Sequence, residues 1–302
     1  MEKQHWFIVF SLFLCFQLTG QQQSLPLDST AFMPLEKVRD KGLEADLKKM
    51  VNSHPKWNKL VKSKKMTIGV VDISDPAAPR YGAVNGKHMM YAASLPKIAV
   101  MVAVMDAVER GEITMTADIE DHLNKMIRVS NNASSSALID LVGYERISRT
   151  LRDERYLLYN PEKQGGLWVG KRYGKGGKRN PDPLKGISHA ASAFQVCRFY
   201  YMLAYGKLIN CQRSEQMLGY LYDPHLHHKF VNSFDQIVPE ADLYRKSGTW
   251  RNFHSDSVMV IGNEWRSYIL VALVEDPQGE SIMRDLVYEV DKILGKKKNY
   301  KE

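Results

Sequence analysis

The stretch 95–109, LPKIAVMVAVMDAVE, constrains this chain more than any other. It has the length of a helix, and its apolar residues fall on nearly every face rather than in one stripe. A helix that is apolar all round is stable only when other elements surround it. The fold must therefore be built around it, with Gly111 placed to end it. A chain of 302 residues, 44% hydrophobic and 25% charged, is long enough to wrap such a core. The same composition excludes a disordered chain, a collagen-like chain and a disulfide-stapled miniprotein.

The flanking patterns suggest what does the wrapping. Residues 41–61 show helical periodicity through Leu43, Leu47, Met50 and Val51. Residues 66–73, MTIGVVDI, are a β-rich run. SDPAAP is a turn cluster, and 80–91 reads as a second strand with a bend at Asn85-Gly86. Beyond the central helix, 118–129 and 133–142 read as two more helices. The pattern weakens over 143–188, where Gly, Pro, Lys and Arg are frequent. Helices resume at 190–205 and 213–222, followed by short strands at 244–250, 255–261 and 267–274 and a last amphipathic helix at 279–295. Strands from the two ends of the chain are expected to join in one sheet. The terminal helices would cover one face, and the helical middle, roughly 94–235, would pack on the other. That is an α+β fold with an all-helical subdomain, and a cleft between the parts is the expected site for a small molecule.

Residues 1–20, MEKQHWFIVFSLFLCFQLTG, have a short polar start with Lys3, an apolar run and small residues after it. This is the layout of a secretory signal, too short in its apolar part to remain as a spanning helix, so the mature protein is expected to be periplasmic or secreted. Residues 21–40, polar with Pro26 and Pro34, read as a linker into a domain spanning 41–298. Cys15 leaves with the signal. Cys197 and Cys211 remain, either as one disulfide or as two buried thiols. The formal charge of +8 favours an anionic partner, and part of the excess is local, in 171–179, KRYGKGGKR. That stretch lacks the spacing of a phosphate loop and follows no strand. His225, His227 and His228 cluster in DPHLHHKF but have no clear further ligand for zinc, so no metal or other cofactor is expected.

Three short motifs carry chemistry. Ser94-Leu95-Pro96-Lys97 opens the buried helix, with Pro96 in the first turn, where proline is tolerated. One helical turn sets Lys97 beside Ser94. A serine hydroxyl needs a base to become a nucleophile, and a lysine supplies one when burial lowers its pKa. Taken alone, the pattern reads better as a capping serine and an exposed lysine. Ser53-His54-Pro55-Lys56 matches it by chance. Ser130-Asn131-Asn132 falls between two helices, where Ser130 could simply be a cap. Lys246-Ser247-Gly248-Thr249 lies on a strand, with positive charge, a hydroxyl donor and a glycine that permits close approach.

Together and in this order, the motifs resemble the S-x-x-K, S-D-N and K-T-G signature of class A β-lactamases and penicillin-binding serine acyltransferases. The resemblance extends over about residues 41–295, through IRVSNNASSSALIDLVG and KSGTW…SDSVMVIG…SYILVALVED. It implies a β-lactamase/transpeptidase-like fold with an antiparallel sheet. It also implies roles. Ser94 would be acylated, and Lys97 would accept or relay its proton. Ser130 would protonate the leaving nitrogen. Asn132 would hold the substrate's amide side chain, and Lys246, Ser247 and Thr249 its carboxylate. The N–H groups of Ser94 and Thr249 would form the oxyanion hole, with Gly248 between the carboxylate-binding residues. The partner would be a small β-lactam or a cell-wall peptide, with no nucleic acid, no membrane insertion after signal cleavage, and a monomeric protein.

The chain departs from the pattern in three places. Asn131 stands where the family has aspartate. The spacing from Ser94 to Ser130 is short, which suggests a more open site. The glutamate that drives deacylation has no E-P-x-L-N run to carry it, and Glu162 in Asn160-Pro161-Glu162 is the nearest candidate. The expectation is a β-lactamase-like enzyme that cleaves the β-lactam amide. The alternatives are a D-alanyl-D-alanine peptidase with slow deacylation and a non-catalytic module that binds wall polymer through the basic loop.

Overall fold

The computed structural model describes residues 23–174, 176–263 and 265–296, so the expected signal segment lies outside the described residues. Helices α1 (Lys41–Ser53) and α2 (Pro55–Lys62) lead into strands β1 (Met66–Asp72), β2 (Arg80–Val84) and the short β3 (Met90–Tyr91). The central helix α3 (Lys97–Glu109) is followed by α4 (Ala117–Arg128) and α5 (Asn132–Arg152). Short strands β4 (Tyr159–Asn160), β5 (Gly165–Gly166), β6 (Trp168–Val169) and β7 (His189–Ala191) cross the weakly patterned region. Helices α6 (Ala193–Ala204), α7 (Cys211–Leu221) and α8 (Phe230–Ile237) precede strands β8 (Asp242–Trp250), β9 (Phe253–Ile261) and β10 (Ser267–Glu275), and α9 (Gly279–Lys296) follows.

The main sheet has the order β2-β1-β10-β9-β8, with every neighbour antiparallel. Strands from the two ends of the chain meet at its centre, where Val70 faces Leu270. Both faces of the sheet are covered, which is why β1 and β10 read as continuous apolar runs rather than alternating ones. On one face α1, α2, α8 and α9 bury Leu47, Trp57, Phe234 and Leu286. On the other, α3, α6 and the helical middle bury Met101, Leu123, Leu138 and Phe199. Helix α3 is buried from Lys97 through Ala107, as its composition demands. This is an α+β fold, an antiparallel sheet with the terminal helices on one face and the helical middle on the other. Among the described residues no helix is long and apolar enough to cross a membrane.

Several local details differ from the sequence reading. The first helical stretch breaks at His54, and Pro55 starts α2 at a position where its missing N–H costs nothing. Helix α5 continues past 142 to Arg152 across a kink at Gly143 (φ 75°), and Ile147 and Leu151 anchor its cationic second half. Helix α8 went unforeseen because it is short, yet it buries Phe230, Val231 and Phe234. The stretch read as a linker is strapped to the body. Leu27, Leu35 and Val38 are buried, and the Leu27 N–H donates to the Ala204 carbonyl (2.6 Å). Neither cysteine expectation holds: both thiols are free, Cys197 is buried and Cys211 is exposed.

Candidate active site

Ser94 stands in the turn that feeds α3, half-buried at the edge of the sheet. The residue before it, Ala93, has φ 48°, a left-handed conformation that costs energy for any residue with a Cβ and persists only where its surroundings impose it. Those surroundings are β8 and β9. A Cβ built on Gly248 would lie 2.5 Å from the Ser94 nitrogen and the Ala92 oxygen, and 2.7 Å from the Leu95 nitrogen. Only glycine lets the strand approach so closely. The Ser255 hydroxyl also donates to the Ala92 carbonyl (2.7 Å), so two strands clamp the turn.

Lys97 is wholly buried at the start of α3. Its Nζ donates to the Ser130 carbonyl (2.6 Å), to Asn132 Oδ1 (2.9 Å) and to the Ser130 hydroxyl (3.2 Å). The Tyr173 ring covers it, with Nζ 4.6 Å from the ring centre. Burial pulls its pKa down to about 7. Ser130 has φ 56° in the break between α4 and α5, which turns its hydroxyl toward a second lysine: Lys246 Nζ donates to it at 3.0 Å. Burial, followed by the charges of Lys97 and Arg245, holds Lys246 well below the usual lysine range. One serine hydroxyl thus bridges two buried amines. Asn131 caps α5 by accepting from the Ser134 N–H (2.8 Å), work that an aspartate does equally well, which makes the departure at this position a mild one.

Behind β8 lies a polar layer that the sequence reading missed. Arg245 forms a bidentate pair with Asp256 (2.7 and 2.8 Å), both fully buried. Lys229, also buried, donates to the Gly248 carbonyl and the Thr249 hydroxyl, each at 2.7 Å. Burial lowers its pKa to about 8. No local sequence signal marks Lys229, since it follows two histidines and opens an unforeseen helix.

The cleft beside Ser94 has a volume of about 790 Å³. Asn132 and Thr249 line it with Ser94, together with Tyr91, Tyr173, His189, Trp250 and Phe253. Ser247 and Gly248 are buried on β8. The structure therefore brings together Ser94, Lys97, Ser130, Asn132, Lys246, Ser247, Gly248 and Thr249. It does not bring Glu162 to them. Glu162 lies on an exposed turn (Pro161–Lys163) whose start is fixed by its own N–H donating to Asn160 Oδ1 (2.9 Å), and the β4–β5 pairing folds that turn back on itself. It is not among the cleft-lining residues, and the lining holds no carboxylate among the described residues.

The described residues hold no group of three His, Cys, Asp or Glu side chains that could seat a metal. His227 pairs with Asp235 (2.7 Å), while burial and the Arg245 charge lower His228 to about 4.

A sequence model of the β-lactamase enzyme family matches residues 52–120 and 114–294. No curated protein sequence matches. Among solved structures, a β-lactamase from Sphaerobacter thermophilus is 18% identical, with 78% of this chain and 94% of that one covered and a TM-score of 0.61. PBP-A is 17% identical over 85% of this chain and 97% of its own, also at 0.61. A PBP-A mutant solved as an acyl-enzyme complex with penicillin G is 17% identical over 88% and 100%, at 0.62. At such identities these likenesses speak for the fold.

Proposed function

Because the chain belongs to the β-lactamase enzyme family, we propose that it is a serine hydrolase acylated at Ser94 by the amide of a β-lactam or a related peptide. The observation that carries this reading is the chain of contacts from Lys97 through the Ser130 hydroxyl to Lys246, set beside Ser94. Neutral Lys97 takes the Ser94 proton, and Ser94 Oγ attacks the amide carbon. The N–H groups of Ser94 and Thr249 receive the developing oxyanion, with Gly248 keeping the strand close enough to present them. As the C–N bond breaks, Ser130 delivers a proton to the leaving nitrogen and is resupplied by the amines it bridges. Asn132 holds the acyl-side amide. Lys246 and Thr249, with Ser247 beside them, hold the carboxylate, and Lys229 fixes the Thr249 hydroxyl from behind. Water then cleaves the ester.

A second reading shares the first step and differs in the last. The Tyr173 ring lies on Lys97, and Glu162 stands on an exposed turn, which favours slow release of the acyl group. The protein then behaves as a penicillin-binding D-alanyl-D-alanine peptidase rather than a fast β-lactamase. The acyl-enzyme formed by the PBP-A mutant with penicillin G supports acylation as the shared step. The N-terminal signal pattern supports export to a periplasmic or secreted location. Intact-mass spectrometry of the mature protein mixed with penicillin G, followed over time with Ser94→Ala as control, tests all of this. A transient adduct with antibiotic consumed is β-lactamase behaviour, and a lasting adduct is penicillin binding. No adduct puts the substrate outside the β-lactams and favours a non-catalytic wall-binding module.

A further inference from the structure

The described residues at the start and base of the loop 171–179 are anchored at several points. At its base the Asn180 N–H donates to the Gly170 carbonyl (2.7 Å), the Gly170 N–H donates to the Ser188 carbonyl (2.7 Å), and the Trp168 indole donates to the Asn180 carbonyl (2.7 Å). His189 Nε2 donates to the Lys171 carbonyl (3.0 Å), fixing the first residue of the loop. The Ser136 hydroxyl donates to the Tyr173 carbonyl (2.9 Å), and the Tyr173 ring packs on His189 (centroids 4.3 Å apart) as well as on Lys97. Arg172 forms an ion pair with Asp140 (2.8 Å). The loop is therefore fixed at its base and again at its third residue, and it presents Lys171, Arg172 and Arg179 to the cleft.

These cations face an unusual wall. Across the cleft stand Tyr91 and Phe253, edge to face with centroids 5.2 Å apart, and Trp250, which is 56% exposed. Among the described residues, no carboxylate lines the cleft and neither Lys171 nor Arg179 has an ion-pair partner. In the reading above, a substrate carboxylate is held at Lys246, which is buried behind Ser130. Thr249 lines the same cleft, but the loop is tied to the helix that carries Asn132: Tyr173 accepts from Ser136, Arg172 pairs with Asp140, and the Tyr173 ring lies on the lysine that bonds Asn132, so Lys171 and Arg179 are left uncompensated on the acyl side.

We propose that the loop 171–179 makes the acyl end of the cleft a second anion-binding subsite, so that the site selects dianionic amides: peptides with an acidic residue ahead of the cleaved bond, and β-lactams with a carboxylate in the side chain. Cations at the rim of a cleft with low-dielectric aromatic walls attract such a group more strongly than cations on an open surface. The inference rests on the proposed location of the substrate along Ser94 and Asn132.

The test uses two matched penicillins, benzylpenicillin and its α-carboxy derivative, which differ by one carboxylate. Their non-covalent affinities for Ser94→Ala are read from Trp250 fluorescence, confirmed by equilibrium dialysis. The dianion is expected to bind about fivefold more tightly at low salt, the scale of one or two partly exposed charge contacts. Raising the salt to about 0.5 M should erase the preference, a check that needs no loop substitution. Arg179→Gln and Lys171→Gln should each reduce the ratio of the two affinities. Equal affinities, or a preference for the monoanion, overturn the subsite. Adduct formation on the wild-type protein is read separately. A dianion preference without any adduct keeps the subsite and removes acylation by β-lactams, and an adduct without the preference does the reverse.

Discussion

Removing the Tyr173 ring should slow acylation at neutral pH and spare it at high pH. The ring is the face of Lys97 that excludes water, and the remaining partners of Nζ are Ser130, Asn132 and the Asn131 carbonyl. Burial is what lowers its pKa. With a pKa of about 7 rather than 10.5, about half of Lys97 is neutral at pH 7, against about 0.03% for a lysine in water. The ceiling for losing all of this is therefore about 10³-fold in rate. Tyr173→Ala admits water to one face only, so a rise of one to two pKa units and a loss of about 10- to 100-fold at pH 7 are expected. The sign is fixed: the base works when deprotonated, so the wild-type acylation rate climbs with pH through a midpoint near 7. In Tyr173→Ala that midpoint moves up, and the rate recovers near pH 10. Tyr173→Phe keeps the ring and should stay within about twofold, since the phenol is buried without a partner. Adduct formation with penicillin G, timed by quench and mass spectrometry from about pH 5 to about pH 10, measures all three profiles. If Tyr173→Ala keeps the wild-type midpoint, or loses the same factor at every pH, the ring does not set the state of Lys97.

Three further outcomes follow from the same contacts. Gly248→Ala forces a Cβ to within 2.5 Å of backbone atoms that cannot rotate away, so it should cost about 1–3 kcal/mol in stability and most of the acylation rate; a variant with wild-type melting and reactivity would contradict the close approach. Lys97→Met should abolish acylation yet stabilise the fold below pH 7. The folded pKa is depressed, so the burial cost is fully present below about 7 and fades toward 10.5; its ceiling is about 5 kcal/mol, and melting curves at pH 6 and pH 10 should show the gain shrinking. Asp106 is buried on α3 and accepts from Arg146 (3.0 Å) and the Tyr156 hydroxyl (2.8 Å), so Asp106→Ala strands a buried guanidinium and should cost about 3 kcal/mol in urea unfolding, whereas a loss under about 0.5 kcal/mol would mean that Glu112 alone satisfies Arg146.

What the sequence made legible was whatever local pattern could carry. The all-apolar run announced α3, and the strands at both ends announced the sheet, because a buried strand and a buried helix are written in consecutive residues. The three motifs announced Ser94, Lys97, Ser130 and Lys246. Lys229 and Tyr173 could not be found in this way. Each sits in a polar, patternless stretch and matters only because the chain returns to the site from elsewhere: Lys229 under Gly248, Tyr173 over Lys97. The anchoring of the basic loop was hidden for the same reason. Its pinning depends on Ser136, Ser188 and His189, which lie outside it. Glu162 shows the opposite error, a residue of the right chemistry whose neighbours fold it away from the cleft.

The clamp on the Ser94 turn has a consequence for timing. The Ser255 hydroxyl reaches a carbonyl 163 residues earlier in the chain, and Lys246 reaches Ser130 across 116. Neither half of the chain holds the reactive geometry alone, and such distant pairings close late in folding. A polypeptide still emerging from the ribosome, or kept extended by a chaperone, therefore carries an ordinary serine and two ordinary lysines. On the proposed mechanism, reactivity begins only when the last strands dock, so the chemistry is withheld until the chain has folded.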